Sequence, residues 1–139
     1  MPESELEEKV KTAFEKARKK FLFRDVELKQ AIQLSDMTIL SCTGKIGGLI
    51  GKKGIVVGEL SKDLNSKVRV VEHSKDEKKV ISDLIGNARL LGVNKIYTPE
   101  GQTLKVMINA KDQRLIPNPQ EIEKAMQELL QSKARIEFT

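Results

Sequence analysis

The chain has 139 residues, 39% hydrophobic and 32% charged, with a net charge of +5. That length suits one ordinary domain or two very small ones, and the share of Ile, Leu and Val excludes a disordered chain. Cys42 is the only cysteine and His73 the only histidine, which excludes an intramolecular disulfide and the usual zinc-binding sets.

The opening segment predicts a helix. Leu6, Val10, Ala13, Phe14, Ala17 and Phe21 recur at three- and four-residue steps and make one apolar stripe. Acids crowd its start (Glu3, Glu5, Glu7, Glu8) and bases its end (Arg18, Lys19, Lys20), an order that complements the helix dipole. An acidic start is unlike a signal peptide, and no apolar run approaches the roughly 20 residues that cross a bilayer. A cytoplasmic location is therefore expected, with no membrane partner.

Two strands follow. Val26, Leu28, Gln30 and Ile32 alternate with Glu27, Lys29 and Gln33, although Gln30 and Ala31 blur the contrast. Met37 to Cys42 is mostly apolar, as in a more buried strand, and Ser35-Asp36 supplies a turn. Within that run Cys42 reads as a buried small residue, not as a nucleophile.

Gly44 to Gly58 holds six glycines: Gly44, Gly47, Gly48, Gly51, Gly54 and Gly58. Ile46, Leu49, Ile50, Val57 and Leu60 fall among and after them at helical spacing. This predicts two short helices, roughly Lys45 to Ile50 and Ile55 to Leu64, separated by a Gly51-Lys52-Lys53-Gly54 loop. Asn65-Ser66 ends the second, and Val68 to Val71 forms a strand. No acid occurs from Met37 to Gly58, yet Lys45, Lys52 and Lys53 lie there. A modest positive charge so distributed favours a polyanionic partner.

The second half repeats the order. Asp76 to Leu91 predicts a helix with Val80, Ile81, Leu84, Ile85 and Ala88 on one face and Gly92 as its stop. Lys95 to Thr98 and Thr103 to Ala110 predict strands around a Pro99-Glu100-Gly101-Gln102 turn. Lys111 to Ile116 is a short segment, Gln120 to Ser132 a helix, and Ala134 to Phe138 a strand. Both halves read helix, strand, strand, short helix, helix, strand. The expected division is 1–74 and 75–139, an α+β chain of two three-stranded sheets packed with helices.

The Gly51 loop fails the tests for other glycine-rich devices. A Walker loop needs Gly, four residues, then Gly-Lys-Ser/Thr, but here Ile46 and Lys53 occupy the diagnostic places. A dinucleotide fingerprint needs Gly-x-Gly-x-x-Gly, whereas Gly48, Gly51 and Gly54 are three apart. Leu49-Ile50-Gly51-Lys52-Lys53-Gly54-Ile55-Val56-Val57-Gly58-Glu59-Leu60 instead resembles the K-homology (KH) signature, with Val57 and Leu60 as its trailing aliphatics. The element order implies the type II arrangement in both units. From Met37 to Val93 the chain resembles the tandem KH region of NusA-like transcription termination and antitermination factors, especially the compact archaeal ones.

That resemblance implies a clamp on about four nucleotides of single strand. Gly51 and Gly54 let backbone approach phosphate, a helix start offers N–H groups and dipole, and Lys52 and Lys53 add charge blind to sequence. Lys45 adds to that charge. The resemblance places Ile46, Leu49, Ile50, Val57 and part of Val68 to Val70 in a base-binding groove, with Arg69 as a contact to a base edge. Aromatic residues are too scarce for a stacking platform such as an OB-fold or an RRM sheet. Phe14, Phe21 and Phe23 read as core.

The second unit departs from the pattern: Pro117-Asn118-Pro119-Gln120 follows Ile116 where a GxxG would stand. It is expected not to bind phosphate in the family's way. The implied function is single-stranded RNA binding, with single-stranded DNA as a possible competitor, in a transcription elongation or termination factor that works with RNA polymerase. A ribosome-associated or ribosome-assembly KH protein, or a KH-fold protein-interaction module, are the alternatives. No nucleophile–histidine pair is apparent, and the acids Asp76-Glu77 and Glu121 with Glu123 stand at helix starts, where a dipole role suffices. Neither catalysis nor a cofactor is expected.

Overall fold

The computed structural model describes residues 3–22, 25–46 and 54–139. The chain is α+β and divides into two compact units, Met1–His73 and Ser74–Thr139. Each contains one three-stranded sheet packed with helices. No helix among the described residues is long and apolar enough to cross a membrane.

In the first unit, α1 (Glu3–Phe21) buries Leu6, Val10, Ala13, Phe14 and Ala17, the predicted stripe. Phe23 lies outside the described residues. β1 (Val26–Gln33) and β2 (Met37–Gly44) form an antiparallel hairpin, and β3 (Lys67–Glu72) lies parallel to β2, leaving β2 in the centre. Lys29 is an extra residue in the β1 register, between the pairs Leu28↔Cys42 and Gln30↔Ser41. A bulge of this kind reverses which residues face inward. Val26 and Leu28 face the core before it and Ala31 after it, which accounts for the blurred alternation around Gln30. α2 (Ile55–Leu64) buries Val56, Leu60 and Leu64 and ends at Asn65, whose φ of 50° is left-handed. The core joins these helices to Leu40 and Cys42 of β2 and Val68 of β3.

The basic end of α1 does more than complement a dipole. Lys16 pairs with Asp63 at 3.8 Å and Lys20 with Glu59 at 2.9 Å, so α1 and α2 are stapled antiparallel, one turn apart on each. Arg18 donates to the Val26 carbonyl at 2.6 Å and lies 5.3 Å from the Phe14 ring centroid.

In the second unit, α3 (Glu77–Ile85) is capped by the Asp76 carboxylate, which accepts from the Lys78 N–H at 3.2 Å. α3 stops at Gly86, not near Leu91, because Gly86 takes a φ of 65° that breaks the helix. The strand β4 (Leu90–Thr98) begins five residues earlier than Lys95, since Leu90 already pairs with Ile108. β5 (Gly101–Ile108) follows, then a 3-10 helix (Ala110–Leu115), α4 (Pro119–Leu130) and β6 (Lys133–Phe138). β4 and β5 are antiparallel, β5 and β6 parallel, so this sheet repeats the pattern of the first. Leu104, Val106, Ile108 and Ala134 are buried with Ile122, Ala125 and Met126 of α4.

One polar clamp fixes the second unit. Asp112 of the 3-10 helix accepts from the Arg89 backbone N–H at 2.8 Å and from its guanidinium at 2.9 and 3.3 Å. The guanidinium first, and the backbone bond next, hold the Asp112 carboxyl below its usual range. A carboxylate depressed on folding adds stability above its unfolded pKa, and that stability is lost as pH falls through the folded value. Asp112→Asn should therefore lower the urea midpoint at neutral pH, with the gap to the parent closing as pH drops below about 4.

A second constraint closes the hairpin of the first unit. Gly44 has a φ of 96°, and a Cβ there would lie 1.7 Å from the Asp25 carbonyl oxygen. That oxygen is itself held by the Lys45 N–H at 2.9 Å. Backbone cannot give way as a side-chain tip can, so Gly44→Ala is expected to cost about 3 kcal/mol or more, read as a fall in the denaturation midpoint at unchanged slope.

Candidate nucleic-acid interface

α2 starts in a way that suits an anion. Gly54 is its N-cap, with φ 66° and ψ 28°, and no side chain among the described residues caps the helix. The first N–H groups of any helix have no partner within it, and they carry the positive end of the dipole. No acid stands in the first turn of α2 to neutralise that end. Among the described residues, no atom lies within 4 Å of where a Cβ on Gly54 would stand, and the same holds for Gly58, one turn further along. Glycine at 54 thus answers a left-handed backbone.

Around this start the chain presents a mixed surface. Ile55 is 56% exposed although it is a large aliphatic residue. Its apolar character suits the helical spacing, so sequence reasoning reads it as an ordinary helix residue and gives no sign of its exposure. Val57 is half-buried and rests on the core of the first unit. Ile46 does the same from the other side of the loop, after the turn held by the bond from its own N–H to the Gly44 carbonyl at 3.0 Å. Val68 is buried and Val70 half-buried in the same cluster. Leu60 and Leu64 are core. Lys45 is exposed. Gly51, Lys52 and Lys53, together with Leu49 and Ile50 of the expected short helix, lie outside the described residues.

Arg69 is not brought into this group. Strand side chains alternate between faces, and Val68 and Val70 point to α1 and α2. Arg69 therefore lies on the opposite face of the sheet, across from Ile39 in the β2–β3 ladder. Burial lowers its guanidinium pKa and the Asp36 carboxylate opposes that shift. On that face Ser41 also meets His73, with Oγ 3.3 Å from Nδ1. Cys42 is fully buried, and burial pushes its thiol up to about 12, which leaves it protonated and unreactive at neutral pH.

The corresponding helix start in the second unit is different. α4 begins Asn118-Pro119-Gln120-Glu121, with proline in the first turn and Glu121 beside it. Proline has no N–H to offer, and a carboxylate there already complements the dipole. The predicted absence of a glycine clamp thus coincides with a helix start poor in free positive charge.

No family model matches the sequence, and no curated protein matches it. Among solved structures, the chain is similar to the crystal structure of APE1850, at a TM-score of 0.65 and 17% identity. The similarity covers 88% of this chain and 96% of that one, more than either unit alone would span. It is a likeness of fold.

The two glycines that take positive φ around this site make opposite predictions. Where Gly44 is pressed against backbone, a Cβ on Gly54 meets none of the described residues, so Gly54→Ala is expected to carry the left-handed strain of about 1–2 kcal/mol. Urea denaturation of the two variants side by side should place Gly54→Ala clearly above Gly44→Ala in stability.

Proposed function

We propose that the chain is a single-stranded RNA-binding protein of the type II KH kind, which holds RNA phosphates with Gly51-Lys52-Lys53-Gly54. The observation that carries this reading is the start of α2. Its capping glycine is left-handed, the adjoining space is open among the described residues, and no acid occupies the first turn. These are the features an approaching phosphate needs: access to backbone N–H groups and an uncompensated dipole.

The arrangement of the first unit favours the same reading. A helix, an antiparallel hairpin, the loop, a helix and a third strand parallel to β2 follow in the order that the signature implies. Ile46 and Val57 flank the loop and share one core, so they form the aliphatic side of the groove. Arg69 belongs to another face and has no part in base recognition there. A NusA-like role on nascent transcript, with RNA polymerase as the larger partner, is the function that this site best serves. The second unit is not a second clamp of the same kind.

The test is binding of labelled single-stranded RNA pools across a salt series. Lys52→Asp/Lys53→Asp should abolish most affinity and reduce the salt slope by about 1.4, at roughly 0.7 for each phosphate that is no longer neutralised. Asn118→Asp, which adds a charge at the proline-flanked turn, should change affinity less than tenfold, about 1.4 kcal/mol. Equal binding by the parent and the loop variant would overturn the reading of this loop as the clamp.

A further inference from the structure

Among the described residues, the helices of the second unit pack against one face of its sheet. Lys95 shares a row with Leu104 and reaches Glu77 of α3 at 2.8 Å, which places the helices on that side. The opposite side is formed by Asn94 and Ile96 of β4, Thr103, Lys105 and Met107 of β5, and Lys133, Arg135 and Glu137 of β6. Ile96 is 45% exposed, and Lys133 and Arg135 are exposed as well.

The charge on this face is lopsided. Glu137 is the sole acid in the three strands, and it is held by Lys105 at 3.1 Å. Lys133 and Arg135 form no ion pair among the described residues. They stand two residues apart on one strand, roughly 7 Å, a step close to that between neighbouring phosphates of an extended strand. Lys105 lies directly across from Arg135, and Asn94 beside Lys105. None of the residues on this face is aromatic. Protein interfaces draw their energy from buried aromatic residues in pockets and are depleted in lysine. Exposed cations on a polar surface instead suit phosphate contacts, which position a strand without reading its bases.

We infer that the open face of β4, β5 and β6 is a second contact surface for single-stranded nucleic acid, with Lys133 and Arg135 as phosphate ligands and Lys105 beside them. It shares the ligand class of the loop but none of its residues. It adds phosphate contacts without adding sequence selectivity.

Fluorescence anisotropy with labelled oligouridylates of two lengths tests it: one of about four nucleotides, enough for the loop, and one longer than about 16. Lys133→Glu/Arg135→Glu should weaken binding of the long oligomer about tenfold at low salt and lower its salt slope by about 1.4. Binding of the short oligomer should not change. The milder Lys133→Gln/Arg135→Gln should lose affinity in the same direction but less, with an unchanged circular dichroism spectrum. Unaltered binding of the long oligomer by both variants overturns the inference and leaves the face to an acidic protein.

The loop variant Lys52→Asp/Lys53→Asp separates the two sites. If it keeps long-oligomer binding that Lys133→Glu/Arg135→Glu removes, the sheet surface stands and the loop reading falls. If only the loop variant loses binding, the reverse holds. A parent protein that binds neither oligomer overturns both.

Discussion

The close approach of Gly44 to the Asp25 carbonyl governs the whole first unit. β2 is its central strand, buried on both faces for most of its length, and the chain must leave that strand abruptly to form the loop and α2. The Lys45 N–H bound to Asp25 makes that exit. Asp25 itself has a φ of 58°, so both sides of the approach carry unusual backbone. The aliphatic pair Ile46 and Val57 and the helix start at Gly54 are placed downstream of this single backbone constraint.

The two units show how one pattern of strands supports different surfaces. Both have an antiparallel hairpin with a third strand parallel to its second. In the first, Ile39 and Leu40, on opposite sides of β2, are both fully buried; in the second, β5 buries Leu104, Val106 and Ile108 on one side only. The helix before the third strand begins with glycine and no acid in one case, and with proline and a glutamate in the other. Topology is common, and a few residues at helix starts and on sheet faces decide what each unit can hold.

Most of the architecture was legible in the sequence because it rests on periodicity. The stripe on α1, the apolar run of β2 and the bounds of α2 at Ile55 and Leu64 all follow from spacing and flanking glycine or asparagine. The misses have local causes. Leu90-Leu91-Gly92 looks like the end of a helix, yet Gly86 had already stopped α3, and the bulge at Leu91 allows glycine inside β4. The basic end of α1 looks like dipole compensation until Glu59 and Asp63 are seen across from it, which no linear spacing reveals. At the site, the spacing of Gly54 and Val57 is legible, but the face on which Arg69 lies depends on its ladder partners. The open face of the second sheet, similarly, emerges only when β6 is set beside β5.

Cys42 has a consequence beyond its inertness. It is the chain's one thiol, it lies in the core of the first unit, and the second unit has none. Any reagent that modifies it must wait for that unit to open. The rate of modification then reports opening of the first unit alone, with the second silent. The fold thereby carries an intrinsic clock for one half of the molecule, against which ligands that bind the folded state can be timed.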